Sequence, residues 1–418
     1  MAPLDTYALR YSPNSMGDER ATMPHARVAL VVAVCLVAIN MRPTITSVGP
    51  LLEQIGADTG LGPSALGLLA SIPLATWALV SPFASGLSQR FGMNRVVLWS
   101  LALLTVGTVV RSAPGPVASL WIGTAVIGVA LAVANVLMPA VIKREFPSRV
   151  PLMMAVYTAL LGGAGAVASG VAVPVAEWGA GVTGADGWRL SLVITGGILL
   201  PVAIVAWLVA MRGRRERAAG AGAAGQSRGI WKDSTAWVVA AYMGFQSATF
   251  YILVTWLATI AVSTGRSAVT AGIDVMVYQI GALAGAIAVP VVLRGGAARW
   301  VPATLPVIGL VGLVGLIAAP DAILAWVLVL GPASGASLGV SLTLMAQRAR
   351  DHHGATALSG MAQSVGYLMA AAGPVLFGSL HSATEGWLLP LVLVVAILVG
   401  QSLSGLAAGR ERYVLEPR

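Results

Sequence analysis

This 418-residue chain reads as an all-α membrane protein, with twelve transmembrane helices in two six-helix halves and both termini cytoplasmic. Three observations predict it. The first is composition: 57% of residues are hydrophobic, only 10% are charged, and mean hydropathy is +0.85. Soluble domains carry about 25% charged residues, so a soluble enzyme, a nucleic-acid binder and a disordered scaffold are excluded. The second is a set of twelve apolar stretches, each near the roughly 20 residues that cross a bilayer as a helix. The third is the placement of the basic residues, which cluster in alternate connections between those stretches.

Residues 1–26 are polar and carry Pro3, Pro13 and Pro24, which makes them a cytoplasmic tail rather than the short charged start of a signal peptide. The N-terminal half, 27–211, contains apolar runs near 28–52, 63–85, 95–113, 117–141, 152–176 and 188–211. A Gly/Ala-rich basic stretch at 212–234, RGRRERAAGAGAAGQSRGIWKDS, reads as a flexible cytoplasmic linker. The C-terminal half, 235–408, contains runs near 235–260, 268–293, 300–319, 322–345, 355–380 and 387–408, and residues 409–418 form a second cytoplasmic tail.

With the N-terminus inside, every Lys and Arg falls on the cytoplasmic side except four: Arg111, Arg189 and Arg266 on the far side, and Arg42 within the first span. An odd number of spans would destroy this asymmetry in one half. The halves also echo each other, with Met154-Ala155 and Gly187-Trp188 matched by Met361-Ala362 and Gly386-Trp387. Two six-helix halves related in parallel are the architecture of major-facilitator carriers, which bind solute near the midplane and rock to expose it alternately.

Several chemistries are excluded. The net charge of +9 lies in short clusters between apolar runs, which argues against nucleic acid. Neither lysine, Lys143 or Lys232, follows a glycine, so no phosphate-cradling ATP loop exists. His25, His352, His353 and His381 match no metal-site spacing, and no metal or cofactor is expected. Cys35 reads as a packing residue. The glycines at 163–168, at Gly281 and Gly285, and at Gly331, Gly335 and Gly339 read as close helix contacts.

An intramembrane charge costs a few kcal/mol, about 3 on the insertion scale, and is a functional candidate by default. Arg42 is the clearest. Glu53, the next carboxylate, lies about 16 Å further along a helix, and Pro43 and Pro50 remove helix donors nearby, predicting a bent span with free carbonyls. A guanidinium there suits a small anion held by its planar donor fork, or a structural pairing with a carbonyl or an acid. Asp274 could carry a coupling proton, or pair with Arg266 or Arg42. Asn40, Asn135, Tyr157, Gln246, Tyr251, Tyr278, Gln279, Gln363 and Tyr367 fall on cavity-lining spans, each a ligand contact or an interhelical hydrogen bond. Gln363 and Tyr367 share a helix face. Trp256, near the end of span 7, reads as an interfacial anchor.

The stretches NMRPTITSVGPLL (40–52), NVLMPAVIKREFP (135–147), MGFQSATFYILVTWL (243–257) and LSGMAQSVGYLMAAAGPVLFG (358–378) resemble the cyanate-permease / 2-nitroimidazole-transporter (CynX/NimT) family of the major facilitator superfamily. The resemblance implies a secondary transporter of small polar or anionic solutes, with the family's arginine at Arg42, its asparagine at Asn135 and its glutamines at Gln246 and Gln363. SGLSQRFGMNR (85–95) departs from the superfamily's loop, with Gln89 in place of an acid; Arg90 and Gly92 still fit a tight turn, and Arg90 is a gating candidate.

Together these features predict a multi-pass protein of the cytoplasmic membrane carrying a small anionic or polar solute, with Arg42 as anion contact. An efflux carrier for planar heteroaromatic compounds, whose rings would stack on the tyrosines, is the alternative. A sensor or channel on the same fold is a third. The expected partners are a small-molecule substrate, membrane lipid and a coupling proton or counter-anion; no nucleic acid is expected, and the chain is expected to work as a monomer.

Overall fold

A computed structural model describes residues 24–183, 187–212, 229–294, 298–350 and 352–415. The calls on the tail at 1–23, the linker at 213–228 and the last three residues, and on the side chains of His25, His352 and His353, lie outside the described residues.

Span 1 is built of α1 (Pro24–Met41), α2 (Pro43–Thr46), a 3-10 turn (Gly49–Leu51) and α3 (Leu52–Thr59). Spans 2 to 5 are α4 (Pro63–Phe91), α5 (Met93–Ser112), α6 (Val117–Glu145) and α7 (Val150–Thr183). Span 6 breaks into α8 (Gly187–Gly197) and α9 (Leu200–Met211), where Pro201 removes a helix donor. Spans 7 to 12 are α10 (Ser234–Ser263), α11 (Ala268–Val292), α12 (Val301–Ala318), α13 (Ile323–Gln347), α14 (His352–Thr384) and α15 (Leu388–Ala408). The described end of the linker is folded: Ile230–Lys232 forms a 3-10 turn with Ile230 buried, and Asp233 caps α10 by accepting from the amide of Ala236 at 3.0 Å.

Eleven of these segments are long and apolar enough to cross a membrane by composition. The twelfth, α14, is as long but is interrupted by Ser359, Gln363, Ser364 and Tyr367. It is packed between α4 and α10, so its polar positions face protein rather than lipid.

The halves meet along two seams, α4 against α14 and α7 against α11. At the end of the bundle carrying the α3–α4 and α10–α11 turns, the approach is backbone to backbone. A Cβ at Gly49 would stand 2.2 Å from the carbonyl oxygen of Val254, and one at Gly67 would stand 2.3 Å from that of Pro374. Ser64 also hydrogen-bonds Ser382 at 3.2 Å across this end. Within the second half, a Cβ at Gly335 would lie 1.7 Å from the carbonyl oxygen of Ala282. The glycine stripes of α11 and α13 are therefore packing surfaces, as their spacing predicts.

Candidate functional site

The site begins with the break in span 1. Pro43 cannot donate, and no water is available in the hydrocarbon layer to satisfy stray carbonyls. Side chains take up most of them. Thr44 donates to the carbonyl of Met41 at 3.0 Å, Ser47 to that of Pro43 at 2.6 Å, Ser169 of α7 to that of Thr46 at 2.9 Å, and Arg111 of α5 to that of Thr44 at 2.6 Å. The span is bent as its prolines predict, but these carbonyls are capped rather than free.

Arg42 heads α2 at this break. Its stem passes Gly165 of α7, where any Cβ would come within 2.5 Å of the arginine Cγ. The guanidinium is half-buried. It donates to the Tyr251 hydroxyl at a long 3.4 Å and lies 5.3 Å from the Phe250 ring centre and 5.9 Å from that of Tyr251. No carboxylate pairs with it among the described residues.

An aromatic wall continues from there. Trp77 of α4 meets Tyr251 edge-on at 6.2 Å and Tyr367 of α14 at 5.3 Å, while Phe250 meets Tyr251 at 5.2 Å and Tyr278 at 5.8 Å. The indole nitrogen of Trp77 is buried with no partner among the described residues. Trp77 and Phe250 are missing from the candidates read in the sequence, because an aromatic residue inside an apolar run carries no local signal of its surroundings. The arrangement combines a cation poor in partners with flat ring surfaces from both halves, which suits a small solute that is planar, anionic or both.

The other candidates divide. Tyr157 donates to the sulfur of Met41 at 3.3 Å, beside the break. Asn135 and Gln363 are half-buried; the Asn135 side chain makes no hydrogen bond among the described residues, and Gln363 donates to Ser359 of its own helix at 2.8 Å. Three others are engaged between helices. Gln279 donates to Ser169 at 2.7 Å across the α7–α11 seam, Gln246 to the Ser334 carbonyl at 3.4 Å, and Tyr278 to the Ser334 hydroxyl at 3.0 Å. Asn40 donates to Leu36 of its own helix at 2.7 Å and stands with Pro43 on the floor of a groove of about 450 Å³. The walls of that groove, on α7 and on α8–α9, include the exposed Val167 and Ile198.

Asp274 pairs with Arg266, not Arg42. Arg266 Nε lies 2.7 Å from one carboxylate oxygen, and its Nη2 donates to the other at 3.0 Å. The carboxylate side chain is 1% exposed and the arginine 25%. Removing one partner of a buried pair leaves the other uncompensated, at about 3–5 kcal/mol. The sealed member is Asp274, so Arg266→Gln should lower the melting temperature in detergent more than Asp274→Asn does, since Arg266 can still reach solvent. Equal losses would show that the arginine is as trapped as the acid.

Arg90 is exposed, with its guanidinium 5.2 Å from the Phe91 ring centre. The turn after it forms at Gly92, whose φ of +90° suits glycine. It is tied to its own half: Asn94 accepts from Arg144 of α6 through its side chain and from Trp207 of α9, at 3.0 Å, through its carbonyl.

One residue sits elsewhere than the sequence suggests, and another turns inward. Trp256, read as an interfacial anchor, is 1% exposed and donates to the Pro374 carbonyl at 3.2 Å because α14 covers it. Arg111, counted on the far side, is on the last turn of α5 with its side chain turned into the bundle. Among the described residues, no cluster of His, Cys, Asp and Glu could hold a metal.

Comparison with known proteins gives a consistent picture. The Major Facilitator Superfamily matches residues 30–374. The chain is 36% identical to the 2-nitroimidazole transporter of Escherichia coli (strain K12), over 93% of this chain and 97% of that one. It is 29% identical to the cyanate transport protein CynX of the same organism, over 89% and 94%. In structure it is similar to a bacterial homologue of the human lysosomal transporter Spinster in an inward-facing, unoccupied conformation. That match has a TM-score of 0.77 at 17% identity and covers 93% of this chain and 98% of the other; at that identity the likeness bears on fold alone.

Proposed function

This chain belongs to the major facilitator superfamily and is a multi-pass membrane transporter, and from that premise we propose that it moves a small anionic or polar solute, cyanate-like or a small organic anion, across the cytoplasmic membrane by alternating access. Arg42 is the anion contact.

The observation that carries the reading is the state of Arg42. Among the described residues, its one long hydrogen bond to a neutral hydroxyl leaves most of a planar five-donor fork unused within the membrane. A bound anion would restore charge balance and take two parallel donors. The break in span 1 brings the guanidinium against Phe250 and Tyr251 of the second half, so a bound solute would touch both halves. The close approach of the halves at Gly49 and Gly67 closes the end assigned to the outside by the charge pattern, as one phase of a rocking cycle requires.

A second reading has a specific observation behind it. The linked rings of Trp77, Phe250, Tyr251, Tyr278 and Tyr367 would stack on a neutral heteroaromatic solute, and one relative is named for a 2-nitroimidazole. Counterflow in proteoliposomes, with cyanate, nitrate, small carboxylates and nitroimidazoles as labelled solutes, separates the two. Accelerated exchange of one or more anions is expected. Exchange of neutral nitroimidazoles with no anion exchanged would replace the first reading by the second. Failure of every solute to exchange would remove both.

A further inference from the structure

The bundle contains a second buried arginine outside the site described above. Arg111 is 1% exposed and donates through Nη1 to the Thr44 carbonyl, while its Nε and Nη2 are buried with no partner among the described residues. A guanidinium cannot shed its proton to escape burial, and no carboxylate reaches it among the described residues. Asp58, on the same end of the bundle, is engaged with Arg189 at 3.7 Å and with the Trp188 indole at 3.2 Å. One carbonyl does not offset the cost of burying a full charge.

Beside Arg111 lies a largely enclosed cavity of about 20 Å³. One wall belongs to the first half, with Thr44, Gly49 and Thr124; the facing wall belongs to α10, with Tyr251, Val254 and Thr255. The hydroxyl of Thr255 makes no hydrogen bond among the described residues, so it is a second donor, brought from the opposite half. A single water needs about 10–15 Å³ measured in this way. The accessible space therefore admits a water-sized particle and favours a compact ligand over an extended one. Water would satisfy the N–H groups but leave the charge unbalanced; a monoatomic anion does both.

We propose that this cavity is a halide site, filled by chloride under physiological conditions, in which the ion takes Nε and Nη2 of Arg111 and the hydroxyl of Thr255. The site is complete only while span 1 and α10 are in contact. A halide bound there stabilises this arrangement of the halves over any in which they part at that end, so chloride is an effector of the conformational cycle, whatever solute Arg42 carries.

The test uses purified full-length protein in gluconate buffer at constant ionic strength, titrated with chloride or bromide while the melting temperature is followed. A saturable rise is expected, retained in Arg42→Gln, with apparent halide affinity about tenfold weaker in Thr255→Val, the loss expected for one hydrogen bond to a charge. Thr255→Val keeps the test available where Arg111→Gln does not fold. Crystals grown in bromide should carry an anomalous peak between Arg111 and Thr255. Superimposable melting curves in chloride and gluconate would overturn the proposal. So would a halide effect lost in Arg42→Gln, which would move the ion to the other arginine. Retention of the effect in a variant that no longer exchanges any solute separates this site from the transport reading.

Discussion

Arg42→Gln is expected to reduce anion counterflow about a hundredfold while leaving the melting temperature within a few degrees of the parent. The magnitude follows from losing a charge-assisted, bidentate contact in a site shielded from bulk water. Hydrogen bonds to charged groups contribute about 1.5–3 kcal/mol, and every 1.4 kcal/mol is about tenfold in affinity. The small stability change follows from the structure, where the guanidinium makes one long hydrogen bond among the described residues and the side chain is only partly buried. Glutamine keeps the length and one donor pair but loses the charge. Arg42→Lys keeps the charge and loses the fork, and should fall between the two. Undiminished exchange of every anion in Arg42→Gln would make Arg42 a packing residue and transfer the argument to the aromatic wall.

The second large effect concerns Gly49. A methyl group there would lie 2.2 Å from the Val254 carbonyl oxygen and 3.1 Å from that of Thr255, and backbone cannot rotate away. Overpacking of this kind costs about 1–3 kcal/mol. The cost falls only on the state in which span 1 touches α10, so Gly49→Ala should shift the population toward the opposite state by roughly tenfold to a hundredfold. Spin labels at positions 64 and 382, whose serines hydrogen-bond at 3.2 Å in the closed arrangement, would report a longer distance in the variant. Gly335→Ala is the control: its clash with Ala282 lies within one half and should lower the melting temperature without changing that distance. If Gly49→Ala behaves in the same way, the contact is structural and does not gate.

The outline of the fold was legible because the bilayer imposes it. Most spans are long and apolar, most charges lie between them, and Pro43 and Pro50, close together in one span, remove two donors from the helix they interrupt. The glycine stripes on α11 and α13 were legible for a related reason: small residues at helical spacing have few uses other than close approach. The site was only partly legible. Arg42 stood out as a charge in an apolar run, and Asp274 was correctly placed beside Arg266 among its alternatives. Gln246, Gln279 and Tyr278 share composition and depth with Arg42, but whether such a side chain meets a cavity or a neighbouring helix depends on the rotation of its span, which hydropathy does not encode. Arg111 sits near the end of its span, and its place on the far side does not tell which way its side chain turns; the room left at Gly123, where a Cβ would stand 2.3 Å from its backbone nitrogen, allows α5 and α6 to pack closely around it.

The polarity of α14 bears on how the protein is made. α14 is less apolar than the other spans, and in the folded bundle the helices that receive it are α10 and α4. The ribosome completes α4 about 260 residues before α14 emerges. Insertion of α14 directly against α4 requires the first half to be standing in the membrane, with the face of α4 unoccupied, when the eleventh span is synthesised. The order of the two halves along the gene thus doubles as an order of assembly, with the first half acting as the template on which the second is finished.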